Sequence, residues 1–367
     1  MNVMISGGGT GGHIYPALAF ARYIRRLHPE ASIVYVGSED GLEADIVPRE
    51  GLQLETVKIS GFKRKLSAHN VRTVVRFVKA VKQARRYIRT HQPDVVIGTG
   101  GYVAGPVVYA AAKEGVPSIV HEQNSVPGLT NKFLSRYADR IALSFEEASS
   151  YFPGKETMLT GNPRASEVLK ARGASPLPDL GLSPEKRTVL VVGGSRGARP
   201  INEAVTEALP DCAGRDWQML YVTGEVHFDE VNQVVEEAGR PENVAVHPFL
   251  YNMPEVLAHV DVVCARAGAT TLAELMALGL PAILIPSPYV TNNHQEKNAR
   301  ALEEAGAALV SREEEFNGKR LLEQVEQILN TPAIWERMHQ NALDVAVTDA
   351  NERLYELASA LQANDKK

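Results

Sequence analysis

The sequence predicts an α/β protein made of two Rossmann-like domains, each built on a mostly parallel sheet, and three observations carry that prediction. A short apolar run, Val3-Met4-Ile5, leads through Ser6 into a glycine-rich loop, after which Leu18, Ala19 and Ile24 recur at helical spacing. Apolar runs and helical stretches then alternate through the first half of the chain, as they do when a parallel sheet is covered by helices on both faces. The same order restarts at Val189, beyond a proline-rich break.

In chain order, the first unit is strand, tight loop and helix. Glycines allow the loop to reverse within a few residues and bring its N–H groups close to a ligand, and the helix N-terminus adds partial positive charge suited to phosphate. His13 stands in the mouth of that loop, at the carboxyl edge of the predicted sheet, where open α/β folds bind ligands. Ile33–Val36 is predicted as the second strand. Val95–Ile97 runs as a strand into Gly98-Thr99-Gly100-Gly101-Tyr102, and Val116–Val120 and Arg140–Leu143 continue the sheet, with helices over Ala104–Lys113 and Leu129–Tyr137. Gly161-Asn162-Pro163 and the stretch from Gly173 to Pro184 read as hinge and surface connection.

Beyond the break, Val189–Val192 enters Gly193-Gly194-Ser195-Arg196-Gly197-Ala198, with a helix from about Ile201. Asp261–Cys264 is a strand, Arg266–Thr271 a loop of mostly small residues, Leu272–Leu278 a helix and Pro281–Ile285 a further strand. That last unit has the strand, loop and helix order at which a nucleotide pyrophosphate docks. The boundaries expected are 1–163 for the first domain and 164–345 for the second, with 346–367 a helix packing back on the first.

Composition bounds the function. A chain of 367 residues, 44% of them hydrophobic, can bury two cores, and a net charge of -5 predicts no general affinity for nucleic acid. Cys212 and Cys264 lack metal-ligand spacing and read as reduced core residues. Neither a secretory signal nor an apolar run long enough to cross a bilayer is visible. The expected location is the cytosol or the cytosolic face of a membrane.

Gly7, Gly9 and Gly12 fit the G-x-G-x-x-G pattern of dinucleotide oxidoreductases, with Glu39 after the next strand, yet such loops serve many ligands. The Walker-type Gly-Lys-Ser/Thr is missing from both halves. Five motifs taken together are far more specific. Gly8 to His13, Gly100 to Pro106, His121-Glu122-Gln123-Asn124, Gly193 to Ala198 and Arg266 to Glu274 stand in the order found in the MurG family of bacterial N-acetylglucosaminyltransferases, which the chain resembles over nearly its whole length.

The resemblance implies a GT-B fold, two Rossmann-like domains facing across a cleft. It implies inverting transfer of N-acetylglucosamine from UDP-N-acetylglucosamine to the muramoyl C4 hydroxyl of the undecaprenyl-linked acceptor, lipid I, giving lipid II for peptidoglycan. Residue by residue, Thr10, Gly11 and Gly12 match the first glycine loop, and Asn124 matches an asparagine that touches the donor sugar. Ser195 matches the serine of the second glycine loop, and Leu250 a residue that meets uracil through its backbone. Ala269, Thr270, Thr271, Leu272, Ala273 and Glu274 match the segment that holds diphosphate and ribose, and Gln295 a glutamine that meets the sugar hydroxyls. Where many relatives read Gly-Asn-Pro-Val-Arg, this chain reads Gly161-Asn162-Pro163-Arg164-Ala165-Ser166, so either Arg164 or Ser166 takes the donor contact.

The chemistry can be argued beside the resemblance. Glu274 in the first turns of a helix can accept hydrogen bonds from both ribose hydroxyls, or merely serve the helix start. Thr270 and Thr271 can bind phosphate or cap the helix. An inverting transfer needs a base near the acceptor hydroxyl and donors near the departing diphosphate; His13 is the candidate base, Glu122 the reserve, and a histidine that only orients the ligand or braces the loop is the alternative. No Asp-x-Asp pair occurs, so neither a metal nor another cofactor is expected, and helix N-termini with Arg196 or Arg266 are left to offset the leaving charge.

Phe62 to Thr90 carries basic residues without one acidic residue, against the negative charge of the whole chain. Lys63, Arg64, Lys65 and Arg72 beside Leu66, Val71 and Val75 suit an anionic bilayer, with each basic residue near the surface worth about 1 kcal/mol. A packed helix with a solvated basic face is the plainer alternative. The expected partners are UDP-N-acetylglucosamine, lipid I, an anionic membrane surface and other cell-wall synthesis and division proteins. A non-hydrolysing UDP-sugar epimerase and a non-catalytic UDP-sugar-binding subunit are the competing functions.

Overall fold

The computed structural model describes residues 1–61, 68–171, 173–194 and 196–365. The chain divides into two compact units, Met1–Arg164 with Asp349–Lys367, and Ala165–Thr348.

The first unit begins β1 (Val3–Gly7), α1 (Gly11–Leu27), β2 (Ile33–Ser38), α2 (Glu43–Arg49), β3 (Gln53–Val57) and α3 (Ala68–His91). It continues through β4 (Val95–Gly100), α4 (Gly101–Glu114), β5 (Ser118–Glu122), α5 (Leu129–Leu134), β6 (Arg140–Leu143) and β7 (Thr157–Leu159), and α6 (Pro163–Val168) opens at its end. Among the described residues its strands form a seven-stranded sheet in the order β3-β2-β1-β4-β5-β6-β7, with every pair parallel. Central strands are buried on both faces, which is why they read as unbroken apolar runs. One face is covered by Phe20 and Ile24 of α1 together with Leu354 and Ala358, and the other by Ala80, Ala84 and Ile88 of α3 with Val107 and Val108 of α4.

The second unit follows the same plan: β8 (Thr188–Val192), α7 (Arg199–Cys212), β9 (Gln218–Val222), α8 (Phe228–Glu237), β10 (Val244–His247) and α9 (Met253–Leu257). Then come β11 (Val262–Ala265), α10 (Ala269–Leu278), β12 (Ala282–Leu284), α11 (His294–Glu304), β13 (Ala308–Val310), α12 (Gly318–Leu329) and α13 (Pro332–Val345). Among its described residues six strands, also all parallel, run β10-β9-β8-β11-β12-β13. Ile201, Val205 and Leu209 of α7 meet Leu321, Val325 and Ile328 of α12 over one face. Finally α14 (Ala350–Asp365) joins the first unit, where Tyr355 packs edge-on to Tyr23 and bonds His28 at 2.6 Å.

The predicted central strands and the helices between them are present, with bounds moved by a few residues. β5, for example, starts at Ser118, after Pro117, which has no N–H to give the ladder. β3, β7, β9, β10 and β13 are additions that the sequence reading lacks. No helix among the described residues is long and apolar enough to cross a membrane.

Candidate active site

In each sheet the strand order reverses beside its first strand, between β1 and β4 and between β8 and β11. Loops leaving the carboxyl ends of such a pair diverge and open a crevice for ligand. The glycine loops after β1, β4 and β8 and the small-residue loop after β11 stand at those crevices, and the other predicted site residues lie on loops and helices that follow β5, β7, β10 and β12.

In the first unit, β4 passes directly into α4 at Gly100-Gly101. Gly101 has φ +75°, and a Cβ there would lie 2.2 Å from the Gly8 carbonyl oxygen, so only glycine lets the two loops touch. His13 sits in the first turn of α1. Its Nδ1 lies 3.0 Å from the Gly8 carbonyl oxygen and 3.2 Å from Thr10 Oγ1, its own carbonyl accepts from Thr99 Oγ1 at 2.8 Å, and its ring lies over Gly100. A carbonyl oxygen can only accept, so Nδ1 carries the proton and in the neutral ring the lone pair is on Nε2. Thr10 and Gly12 are exposed beside it and Gly11 is half-buried.

The His121-Glu122-Gln123-Asn124 run stands at the end of β5. His121 is fully buried; Nε2 donates to the Gly161 carbonyl at 2.8 Å, and Gln123 Nε2 donates to Nδ1 at 3.0 Å. Burial pushes its pKa down to about 4. Glu122, 1% exposed, accepts from the Asn124 N–H and side-chain amide on Oε1, and from the Gly128 N–H and Asn131 amide on Oε2. Burial raises its pKa, and those hydrogen bonds oppose the rise. Both oxygens thus hold the loop that presents Asn124. Arg164 stacks its guanidinium 5.7 Å from the Tyr15 ring centre. Ser166, in the second unit, is buried and donates its hydroxyl to the Thr348 carbonyl at 2.7 Å.

In the second unit, Gly197 has φ +73° and a Cβ there would lie 2.1 Å from the Thr223 carbonyl oxygen, which fixes how closely the loop after β8 approaches the loop after β9. Ser195 lies outside the described residues. The loop after β11 feeds α10, whose N-cap is Gly268; without a capping side chain, the first-turn N–H groups at Ala269, Thr270 and Thr271 suit an anion. Leu272 and Ala273 follow as buried residues, and Glu274 is 7% exposed on the same helix. Gln295 in the first turn of α11 has its Oε1 fixed by the Ser287 N–H at 2.9 Å, which leaves the NH₂ as its donating end. Asn292 and Asn293, at φ +56° and +50°, form the left-handed turn that launches α11. Leu250 is buried after β10. Arg266 is committed elsewhere: it donates to the Ile285 carbonyl at 3.0 Å and pairs with Glu313 at 2.7 Å. Of the two arginines, Arg196 is the exposed one.

The basic stretch forms α3. Ala80, Ala84 and Ile88 face the sheet, while Val74, Val75 and Val78 are 50%, 50% and 63% exposed between Arg72, Lys79 and Lys82, all exposed. Lys63, Arg64, Lys65 and Leu66 lie outside the described residues, as does the Val71 side chain. Sequence reasoning missed Val74 and Val78 as exposed apolar positions, the Asn292-Asn293 turn, and a buried carboxylate, Glu43, beneath the first glycine loop.

Two family models match the chain: the glycosyltransferase family 28 N-terminal domain over residues 3–143 and the family 28 C-terminal domain over residues 188–354. A Bacillus cytotoxicus protein named UDP-N-acetylglucosamine–N-acetylmuramyl-(pentapeptide) pyrophosphoryl-undecaprenol N-acetylglucosamine transferase is 56% identical over 98% of this chain and 99% of its own. The chain belongs to glycosyltransferase family 28. Its family 28 fold is GT-B, and the crystal structure of Acinetobacter baumannii MurG superimposes with a TM-score of 0.77 at 28% identity, covering 98% of this chain and 99% of that one. UDP-GlcNAc 2-epimerase from Neisseria meningitidis, bound to UDP-GlcNAc, gives a TM-score of 0.71 over 97% and 99% of the two chains. At 11% identity that likeness is one of fold alone, and it does not make this family 28 chain an epimerase.

Proposed function

We infer that the chain transfers N-acetylglucosamine from UDP-N-acetylglucosamine to lipid I, forming lipid II. The observation that carries this is the 56% identity, end to end, with a transferase named for that donor and that acceptor. The test is incubation of the purified full chain with labelled UDP-N-acetylglucosamine and a lipid I analogue. Label must appear in the lipid; label recovered as a UDP-sugar epimer, or binding without turnover, would reject the assignment.

The second unit is the donor domain in this reading. The first-turn N–H groups of α10 receive the diphosphate, Glu274 the ribose hydroxyls and the Gln295 amide a sugar hydroxyl, with Leu250 beside uracil through its backbone. The first unit receives the acceptor, and His13 Nε2 takes the proton from the muramoyl C4 hydroxyl as its oxygen bonds the anomeric carbon and the bond from that carbon to the UDP oxygen breaks. Attack from the face opposite UDP inverts the configuration. Glu122 acts as a brace for Asn124 rather than as the base, because all its described hydrogen bonds are accepted from that loop and its helix. Arg196, exposed where Arg266 is paired, is the arginine suited to the leaving diphosphate.

An acceptor anchored in lipid requires the enzyme to work at a bilayer. The exposed valines of α3 and the basic residues around them are the surface suited to an anionic leaflet, and in this reading the chain works as a peripheral protein on the cytoplasmic face of the bacterial membrane. Other cell-wall synthesis and division proteins are partners expected at that place.

A further inference from the structure

One buried carboxylate has no part in the chemistry described so far. Glu43 opens α2, is fully buried, and accepts the Ser38 N–H at 2.9 Å and the Ser38 hydroxyl at 2.6 Å on Oε1. Its Oε2 accepts the Gly9 N–H at 3.1 Å. The first glycine loop closes directly over it: a Cβ on Gly8 would lie 2.2 Å from Glu43 Oε1, and one on Gly41 would lie 2.4 Å from Oε2. Space for the carboxylate thus exists because those positions lack side chains.

The Gly9 N–H belongs to the same peptide unit as the Gly8 carbonyl. A trans peptide is planar, with its N–H and C=O pointing in opposite directions, so a group that fixes one fixes the other. That carbonyl accepts from His13 Nδ1 at 3.0 Å. Glu43 Oε2, the Gly8–Gly9 peptide and the imidazole therefore form one line of hydrogen bonds, carboxylate to N–H, and carbonyl to Nδ1–H. Successive hydrogen bonds polarise one another, and a carbonyl whose own N–H is held by a carboxylate is the stronger acceptor.

We propose that Glu43 is a positioning residue for His13, acting through the Gly8–Gly9 peptide to keep the imidazole in its Nδ1–H tautomer with Nε2 as the proton acceptor. The role is that of the carboxylate behind a catalytic histidine, with a peptide group inserted between the two. It rests on the reading of His13 as the base. Replacing the carboxylate by an amide leaves one acceptor oxygen where two are used. If that oxygen stays on Ser38, an NH₂ group faces the Gly9 N–H and the peptide loses its anchor.

The experiment compares Glu43→Gln, His13→Gln and the double variant in the full chain, with UDP-N-acetylglucosamine and a lipid I analogue. Glu43→Gln is expected to lower kcat by ~10–100-fold, the range seen when the partner that orients a metal-ligating histidine is removed, with the donor KM within about twofold. Loss of the nearby negative charge disfavours the imidazolium, so the acid limb of the kcat/KM profile should move to lower pH. In the His13→Gln background the same change should cost under about twofold, because its target is gone. An undiminished loss in that background would make Glu43 a purely structural brace and overturn the proposal. If His13→Gln is impaired while Glu43→Gln is not, the relay fails and the base reading stands; if His13→Gln keeps full kcat, the base reading and the proposal fall together. A readout independent of any variant is the nitrogen chemical shift of His13 in the ¹⁵N-histidine-labelled wild-type chain. The Nδ1–H form supports the relay, and a predominant Nε2–H form overturns it.

Discussion

Serine in place of Val74, Val75 and Val78 should detach the protein from lipid without unfolding it. The three side chains are 50%, 50% and 63% exposed, and α3 is held to its domain by a different stripe, Ala80, Ala84 and Ile88. Complete burial of a valine side chain is worth at least about 1.5 kcal/mol, so covering the exposed half of each contributes roughly 0.8 kcal/mol, and about 2.5 kcal/mol for the three. That corresponds to a ~60-fold weaker partition for the triple variant. Neutralising Arg72 and Lys79 to glutamine removes about 2 kcal/mol at an anionic surface, ~30-fold, and this part should vanish as salt shortens the screening length below roughly 8 Å. The assay is sedimentation of the full chain with vesicles of neutral phosphatidylcholine alone or mixed with anionic phosphatidylglycerol. The valine variant must lose binding to both, the basic variant only to the anionic mixture. Undiminished sedimentation of the triple serine variant would show that lipid is met by some other surface.

Two further perturbations separate structure from chemistry. His121 is neutral and buried with a folded pKa of about 4 against 6.5 in the unfolded chain. Its contribution is therefore complete above pH 6.5 and is lost as pH falls towards 4, about 2 kcal/mol between pH 8 and pH 5. Urea unfolding at the two pH values should show that loss in the wild type and a flatter dependence in His121→Gln, and parallel curves would contradict the burial argument. Glu274→Ala should raise the Kd for UDP-N-acetylglucosamine by about tenfold or more, the value of a hydrogen bond to a charged group, as measured by calorimetry. An unaltered Kd would remove Glu274 from the ribose contact.

What sequence can show about this molecule divides by the range of the interaction. Strands in the middle of a parallel sheet have both faces covered, so Val3-Met4-Ile5, Val95-Val96-Ile97 and Val189–Val192 announce themselves, and the loops that follow are legible because glycine is the residue a close backbone approach demands. β3 and β7 sit at sheet edges, where solvent permits polar residues such as Gln53, Glu55 and Thr157 to interrupt the apolar pattern. β10 and β13 are edges too, but their apolar runs, Val244-Ala245-Val246 and Ala308-Leu309-Val310, are only three residues long, too short to tell strand from helix by pattern. β9 is different: Met219–Val222 is as apolar as its neighbours, and the same rule suffices to find it. The apolar surface of α3 is only half legible, because valines and alanines occur around the helix and its packing on α4 and the sheet alone decides which stripe is left outside. Glu43 is the furthest from sequence reading. It stands 34 residues from Gly9, and the two meet because β2 pairs with β1 and brings Ser38, the start of α2 and the glycine loop to one end of the sheet. A glycine pattern therefore identifies a loop that can approach a ligand, whereas what holds the loop's histidine in a working tautomer is chosen by the register of its neighbouring strand, and only a structure brings that choice into view.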